Sequence, residues 1–261
     1  MSAVSRRRRL PTLVEPSLVA AWPGVGNVAL IAATYLKDKL NAKVLGELDL
    51  EGFFDITGVF IRDNLIETPE FPQGRFYYWK SRGRGRDLLF FLSEAQPALG
   101  AYKYVGRVLD VAERLGVTRV YTLAAALTEH HPDEPRALGA ATSVELLDEL
   151  KKLNVALAGD IYIAGLNGLL LGAAKERGME GICLLGESVR YAAKVPNPRA
   201  SKAVLEPLTK LLGVKIDMAE LEELARSADS QIRQIGAEIR AEYLKYFTAP
   251  IWEREEREES G

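Results

Sequence analysis

Three sets of residues in this 261-residue chain have the types and spacing that chemistry would need. Gly24-Val25-Gly26-Asn27-Val28-Ala29 fits G-x-G-x-x-A between an apolar stretch and a helical one. In that position a turn's N–H groups and a helix N-terminus hold the pyrophosphate of a dinucleotide. Glu47 or Asp49, near the end of the next extended stretch, stands where a ribose-binding carboxylate would. Pro23 stiffens the turn and Trp22 is bulky, so a tight structural turn is the competing reading. Glu94, with Gln96 close by, and Glu187 each follow an apolar run, and two carboxylates about 5–9 Å apart can share acid/base work. Caps that stabilise loops at strand ends use the same residue types. His130 and His131, the only histidines, precede Asp133 and Glu134 in a proline-bounded loop. Adjacent histidines diverge, so a metal there needs ligands from elsewhere, and an exposed loop is the plainer reading. Cys183, the sole cysteine, sits in an apolar run without a basic partner and reads as core. There is no Walker lysine and no kinase signature, and no cofactor is expected.

The elements that must position these groups are organised around residues 165–187. Gly165, Gly168 and Gly172 would lie along one side of a helix. Each helical glycine costs roughly 0.5–1 kcal/mol relative to alanine, so the close approach of another backbone is expected on that side. Leu169, Leu170, Leu171, Ala173 and Ala174 make the helix buried on nearly all sides, and Gly178 supplies a left-handed stop. Residues 181–185 are apolar without alternation, the pattern of a strand covered on both faces; Gly186 and Glu187 stand at its carboxyl end, where ligands gather in open α/β sheets. Further strands are expected at 17–22, 43–50, 57–61, 75–81, 87–92, 119–123 and 161–164, and further helices at 28–40, 99–115, 143–153 and 201–212. Arg82-Gly83-Arg84-Gly85-Arg86 reads as the solvated tip of a hairpin. The alternation predicts an α/β layered sheet with helices on both faces.

At 48% hydrophobic residues the chain supports one substantial core. The expected organisation is a basic tail over 1–14, an α/β domain over 15–215, a helical extension over 216–250 and a charged tail over 251–261. A net charge of −2 gives no pull toward nucleic acid or anionic lipid, and Arg6 to Arg9 lack the interleaved aromatics of a nucleic-acid arm. No run reaches the ~18 apolar residues needed to span a bilayer. With one cysteine no disulfide framework is available, so a cytoplasmic protein is expected. Met218, Leu221, Ala225, Ala228, Ile232, Ile235 and Ile239 follow a 3-4 spacing, a helical seam. Its apolar end, Ile232, Ile235 and Ile239, is expected to touch another subunit or a client protein, with packing on its own domain as the alternative.

Several blocks together resemble the proteasome-assembly-chaperone type 2 family in its archaeal and bacterial branch. They are Trp22-Pro23-Gly24-Val25-Gly26-Asn27-Val28, Glu94-Ala95-Gln96-Pro97, Gly139-Ala140-Ala141-Thr142, Gly165-Leu166-Asn167-Gly168-Leu169-Leu170, and Gly186-Glu187 followed by Pro196-Asn197-Pro198-Arg199-Ala200. The resemblance implies a three-layer α/β/α sandwich like the purine-nucleoside-phosphorylase/hydrolase fold, with no catalytic residues to carry over. It also implies a homo-oligomer, a trimer or tetramer, that binds proteasome subunits or other protein clients. Some members dock through a C-terminal hydrophobic-tyrosine-any tail; this sequence ends Glu259-Ser260-Gly261, so docking of that kind is not expected. A small-molecule enzyme or sensor with a cleft near Gly24, Glu94 and Glu187 is the alternative.

Overall fold

The computed structural model describes residues 10–55, 57–83 and 85–248, with side chains to Glu242. Most of the two expected tails, and the side chains of Tyr243 and Tyr246, lie outside the described residues. The strands are β1 Ser17–Ala21, β2 Lys43–Glu47, β3 Ile61–Arg62, β4 Leu65–Ile66, β5 Gly74–Trp79, β6 Leu88–Ser93, β7 Arg119–Thr128, β8 Ala137–Ala141, β9 Ala156–Leu157 and β10 Glu180–Val189. The helices are α1 Val28–Lys39, α2 Ala101–Arg114, α3 Val144–Lys152, α4 Leu166–Glu176, α5 Pro198–Leu212 and α6 Ala219–Thr248. None of these helices is long and apolar enough to cross a membrane.

Eight strands form one sheet in the order β2-β5-β6-β1-β7-β10-β8-β9. Its centre, β6-β1-β7-β10, is parallel, and antiparallel strands flank it through β5 and β8. Successive side chains of β1 explain the layers. Leu18 and Ala20 face a core built with α2 and α4, while Val19 and Ala21 face one built with α1, α3 and α5. A strand covered on both sides has no polar face to show, so β1 is apolar through Leu18–Ala21 without alternation. The expected three-layer α/β/α class is what the structure has.

Some expectations need correction. Of residues 57–61 only Ile61 enters a ladder, and that ladder is a separate β3–β4 hairpin turned by Asp63 and Asn64, both at positive φ (51° and 63°). Residues 161–164 form no strand, and Ile161 and Tyr162 are exposed. β8 and β9 were not foreseen. β10 runs ten residues, so Gly186 and Glu187 lie inside it, not beyond its end. Gly186 is where α5 comes closest: a Cβ there would sit 2.5 Å from the Ala200 carbonyl oxygen.

The glycine-faced helix is corrected too. Gly165 caps α4 rather than joining it, Gly168 abuts the Ile163 carbonyl of the preceding loop, and Gly172 is exposed with open space at its Cβ position. The helix therefore has a solvent side.

α6 begins on its own domain. Leu221 and Ala225 are buried, Leu221 joins the core shared with α5, and Ile232 closes a small cluster with Val189 and Ala192. Ile232 is thus spent inside the chain and leaves the set of residues expected to touch a partner. Ile235 is half-buried and Ile239 exposed.

Candidate functional site

Four of the five sequence blocks converge at the carboxyl edge of β1 and β6, where side-chain amides fasten one loop to the next, and the fifth, Gly139-Ala140-Ala141-Thr142, lies in and after β8 with Thr142 bonded to Gly181. The Trp22 N–H donates to Asn167 Oδ1 at 3.2 Å, Gln96 Nε2 donates to the Pro23 carbonyl at 2.5 Å, and the Leu166 N–H donates to Gln96 Oε1 at 2.9 Å. On the other side of the turn, the Gly26 N–H donates to the Ala193 carbonyl and the Asn197 N–H to the Gly26 carbonyl, both at 2.8 Å. Gly26 has φ 57°, and a Cβ on it would lie 3.0 Å from that of Asn197. Asn197 also caps α5, accepting from the Ala200 N–H at 3.0 Å, and donates to Ser188 Oγ at 3.1 Å.

This arrangement decides between the two readings of Gly24, Gly26 and Asn27. A phosphate cradle needs free N–H groups, yet those of Gly26, Asn27 and Val28 donate to Ala193, Gly24 and Val25. The turn is a structural lock. Glu47 pairs with Arg75 at 2.8 Å and holds no ribose position.

Glu94 and Glu187 do not meet. Their strands, β6 and β10, are separated by β1 and β7, which places them about 14 Å apart across the sheet, outside the range for shared acid/base work. Glu94 is exposed and accepts the Gln73 N–H at 3.0 Å. Glu187 is buried against Arg136, with Nη2 at 2.7 Å and the Arg136 N–H at 2.9 Å. Burial pushes its carboxyl up, but the hydrogen bonds and charge of Arg136 outweigh this and hold it below the usual carboxylate range. Cys183 is fully buried, and desolvation pushes its thiol up to about 11, so it is inert core.

The histidine pair divides. His130 is exposed, whereas His131 Nε2 lies 2.7 Å from Asp229 Oδ1 on α6. Asp229 is also 2.9 Å from both Arg199 on α5 and Arg233 on α6. Burial raises the Asp229 carboxyl, but hydrogen bonds from Arg233 and His131, with the Arg199 charge, bring it below its ordinary value. Among the described residues no group of three or more His, Cys, Asp or Glu could hold a metal ion. The loop of His131 is therefore an anchor for α6, which sequence reasoning missed because its members are 98 residues apart.

What remains outside these locks is surface that could meet another protein. The β3–β4 arm is apolar and bare, with Ile61, Leu65 and Ile66 each at least 70% exposed, and a cavity of about 970 Å³ opens at its foot between Phe60, Phe71 and the ends of β2 and β5. The helix α6 runs on past its last buried residue, and from Ala237 to Glu242 every side chain is exposed.

Residues 18–235 match the PAC2 family. The chain belongs to the PAC2 family. It is 31% identical to an uncharacterized protein of Methanocaldococcus jannaschii over 223 residues, 84% of this chain and 82% of that one. Among solved structures, this PAC2 protein resembles PbaB of Pyrococcus furiosus, described as an archaeal proteasome activator, with a TM-score of 0.76 and 34% identity over 89% of this chain and 97% of that one. It also resembles PbaA of the same organism, described as an archaeal homolog of proteasome-assembly chaperone, with a TM-score of 0.68 and 25% identity over 90% and 93% of the two chains.

Proposed function

We infer that this protein is a homo-oligomer of three or four copies that binds other proteins without catalysis and serves the proteasome as an activator or assembly chaperone. The observation that carries this reading is the likeness to PbaB along nearly the whole of both chains. Geometry supports it from a second side. The groups with the types for catalysis are engaged in structure: the glycine turn in backbone hydrogen bonds, Glu187 with Arg136, His131 with Asp229. Exposed apolar surface is concentrated instead on and beside the β3–β4 arm, and the far part of α6 shows Ile239 to solvent. In this reading residues 15–215 carry the fold, 216–250 form an extension, and Ile239, with Ile235 behind it, contacts the client.

Affinity capture of the tagged full-length chain from native lysate tests the class. Recovery of proteasome subunits is the expected result. A stoichiometric metabolite without proteasome subunits would replace this reading with the small-molecule sensor.

A further inference from the structure

We propose that the basic tip of the β5–β6 hairpin in one copy of this chain enters the acidic groove at the foot of the same hairpin in a second copy, head to tail. The inference rests on the oligomeric reading above and names its contact.

The groove is the cavity of about 970 Å³ beside the β3–β4 arm. Its walls carry the carboxylates of Glu47, Asp49, Glu51, Glu70 and Glu94, and among the described residues no lysine or arginine lines it. Among the described residues only Glu47 has an ionic partner, Arg75. Arg107 donates to the Asp49 carbonyl and lies over the Phe53 ring, while Asp49 and Glu94 accept only backbone N–H groups, from Glu51 and Gln73. On the same wall Phe60 and Phe71 are 70% and 55% exposed. Carboxylates beside bare aromatic faces suit a guanidinium better than an ammonium, because its planar fork binds the first bidentately and stacks on the second.

The complementary group is in the same hairpin. β5 and β6 pair from Gly74 with Ser93 to Trp79 with Leu88, so the groove lies at one end and the turn at the other, about 17 Å of strand away. At the turn Lys80, Arg82 and Arg86 are exposed, and Arg86 reaches Glu15 only at 3.8 Å. Opposite charges at opposite ends of a rigid hairpin cannot neutralise each other within one chain, but they can between chains. Such a contact uses two different patches, so it propagates from copy to copy, and an oligomer of three or four copies requires it to close as a ring.

Light scattering on the full-length protein at micromolar concentration reads the contact, with circular dichroism melts to show that each variant is folded. A tip variant, Arg82→Glu with Arg86→Glu, and a groove variant, Glu51→Lys with Glu70→Lys, should each fall to monomer mass. Their equimolar mixture should give a dimer and nothing larger, since one intact tip meets one intact groove. All four changes in one chain should restore the parent mass, and raising salt from about 50 to about 500 mM should lower it. Folded variants that keep the parent mass, or a mixture that stays monomeric, would overturn the contact while leaving an oligomeric parent in place. A monomeric parent would overturn the oligomeric reading itself. Should the peptide Arg-Gly-Arg-Gly-Arg bind the parent but not the groove variant, while both variants keep the parent mass, the groove belongs to a foreign basic partner and the second-copy assignment is wrong.

Discussion

His131 Nε2 lies 2.7 Å from Asp229 Oδ1, a bond that spans 98 residues and ties the loop after β7 to the middle of α6. It holds the stretch of α6 that completes the domain, just before the buried Ile232. Asp229→Asn should therefore loosen the helix, costing about 2 kcal/mol, the scale of a hydrogen bond to a charged group. Urea unfolding at neutral pH measures this.

The pH dependence of that cost has a definite sign. The carboxyl of Asp229 is held below its ordinary value in the folded state, so its contribution is full above the unfolded pKa of about 3.9 and fades as pH falls through the folded value. The gap in stability between the parent and Asp229→Asn should shrink toward zero as pH falls below about 4 into stronger acid. A gap that stays undiminished in strong acid would contradict the anchoring role.

Two glycines of α4 should respond oppositely. Gly168→Ala drives a methyl into the Ile163 carbonyl and should lower stability by about 1–3 kcal/mol. Gly172→Ala enters open space in a helix interior and should raise it by about 0.5–1 kcal/mol. Denaturant melts of the two variants separate a packed glycine from a tolerated one.

Much of this architecture was legible in the sequence. Residues 17–22, 28–40 and 181–185 announce β1, α1 and the heart of β10 because two-sided burial leaves strands unbroken and apolar. β8 was hidden: Ala137-Leu138-Gly139-Ala140-Ala141 has no β-branched residue, and its pairing with β10 and β9 makes it a strand. The β3–β4 hairpin did carry a signal, Asp63-Asn64 between two apolar pairs, since both residues tolerate the positive φ a tight hairpin turn needs. At the site the residue types misled. Gly24 to Asn27 look like a phosphate turn because both uses need the same sharp bend, and only the position of Ala193 and Asn197 shows which one this is.

Because those N–H groups are engaged, millimolar NAD or ATP should leave the melting temperature unchanged. A ligand at 100 times its dissociation constant would add about 2.7 kcal/mol, well within detection. A saturable shift abolished by Gly26→Val would contradict the lock.

Truncation separates the two halves of α6. Removing everything after Lys215 strips Leu221 and Ile232 from the domain, at roughly 1.5–3 kcal/mol for each buried side chain, and should destabilise the chain. Ending it after Gly236 removes the exposed side chains from Ala237 to Glu242 and the residues that follow them. That shorter chain should melt with the parent and keep its mass by light scattering, but lose client binding. A fall in mass with unchanged melting would make Ile239 an assembly contact instead.

The central claim is a direct physical association with the proteasome. Gel filtration of the purified full-length protein with purified core particle from the same source tests it. The account predicts co-elution that saturates with added protein and is weakened by Ile239→Asp. Separate elution of the two at micromolar concentration, with the protein folded and oligomeric, would contradict it.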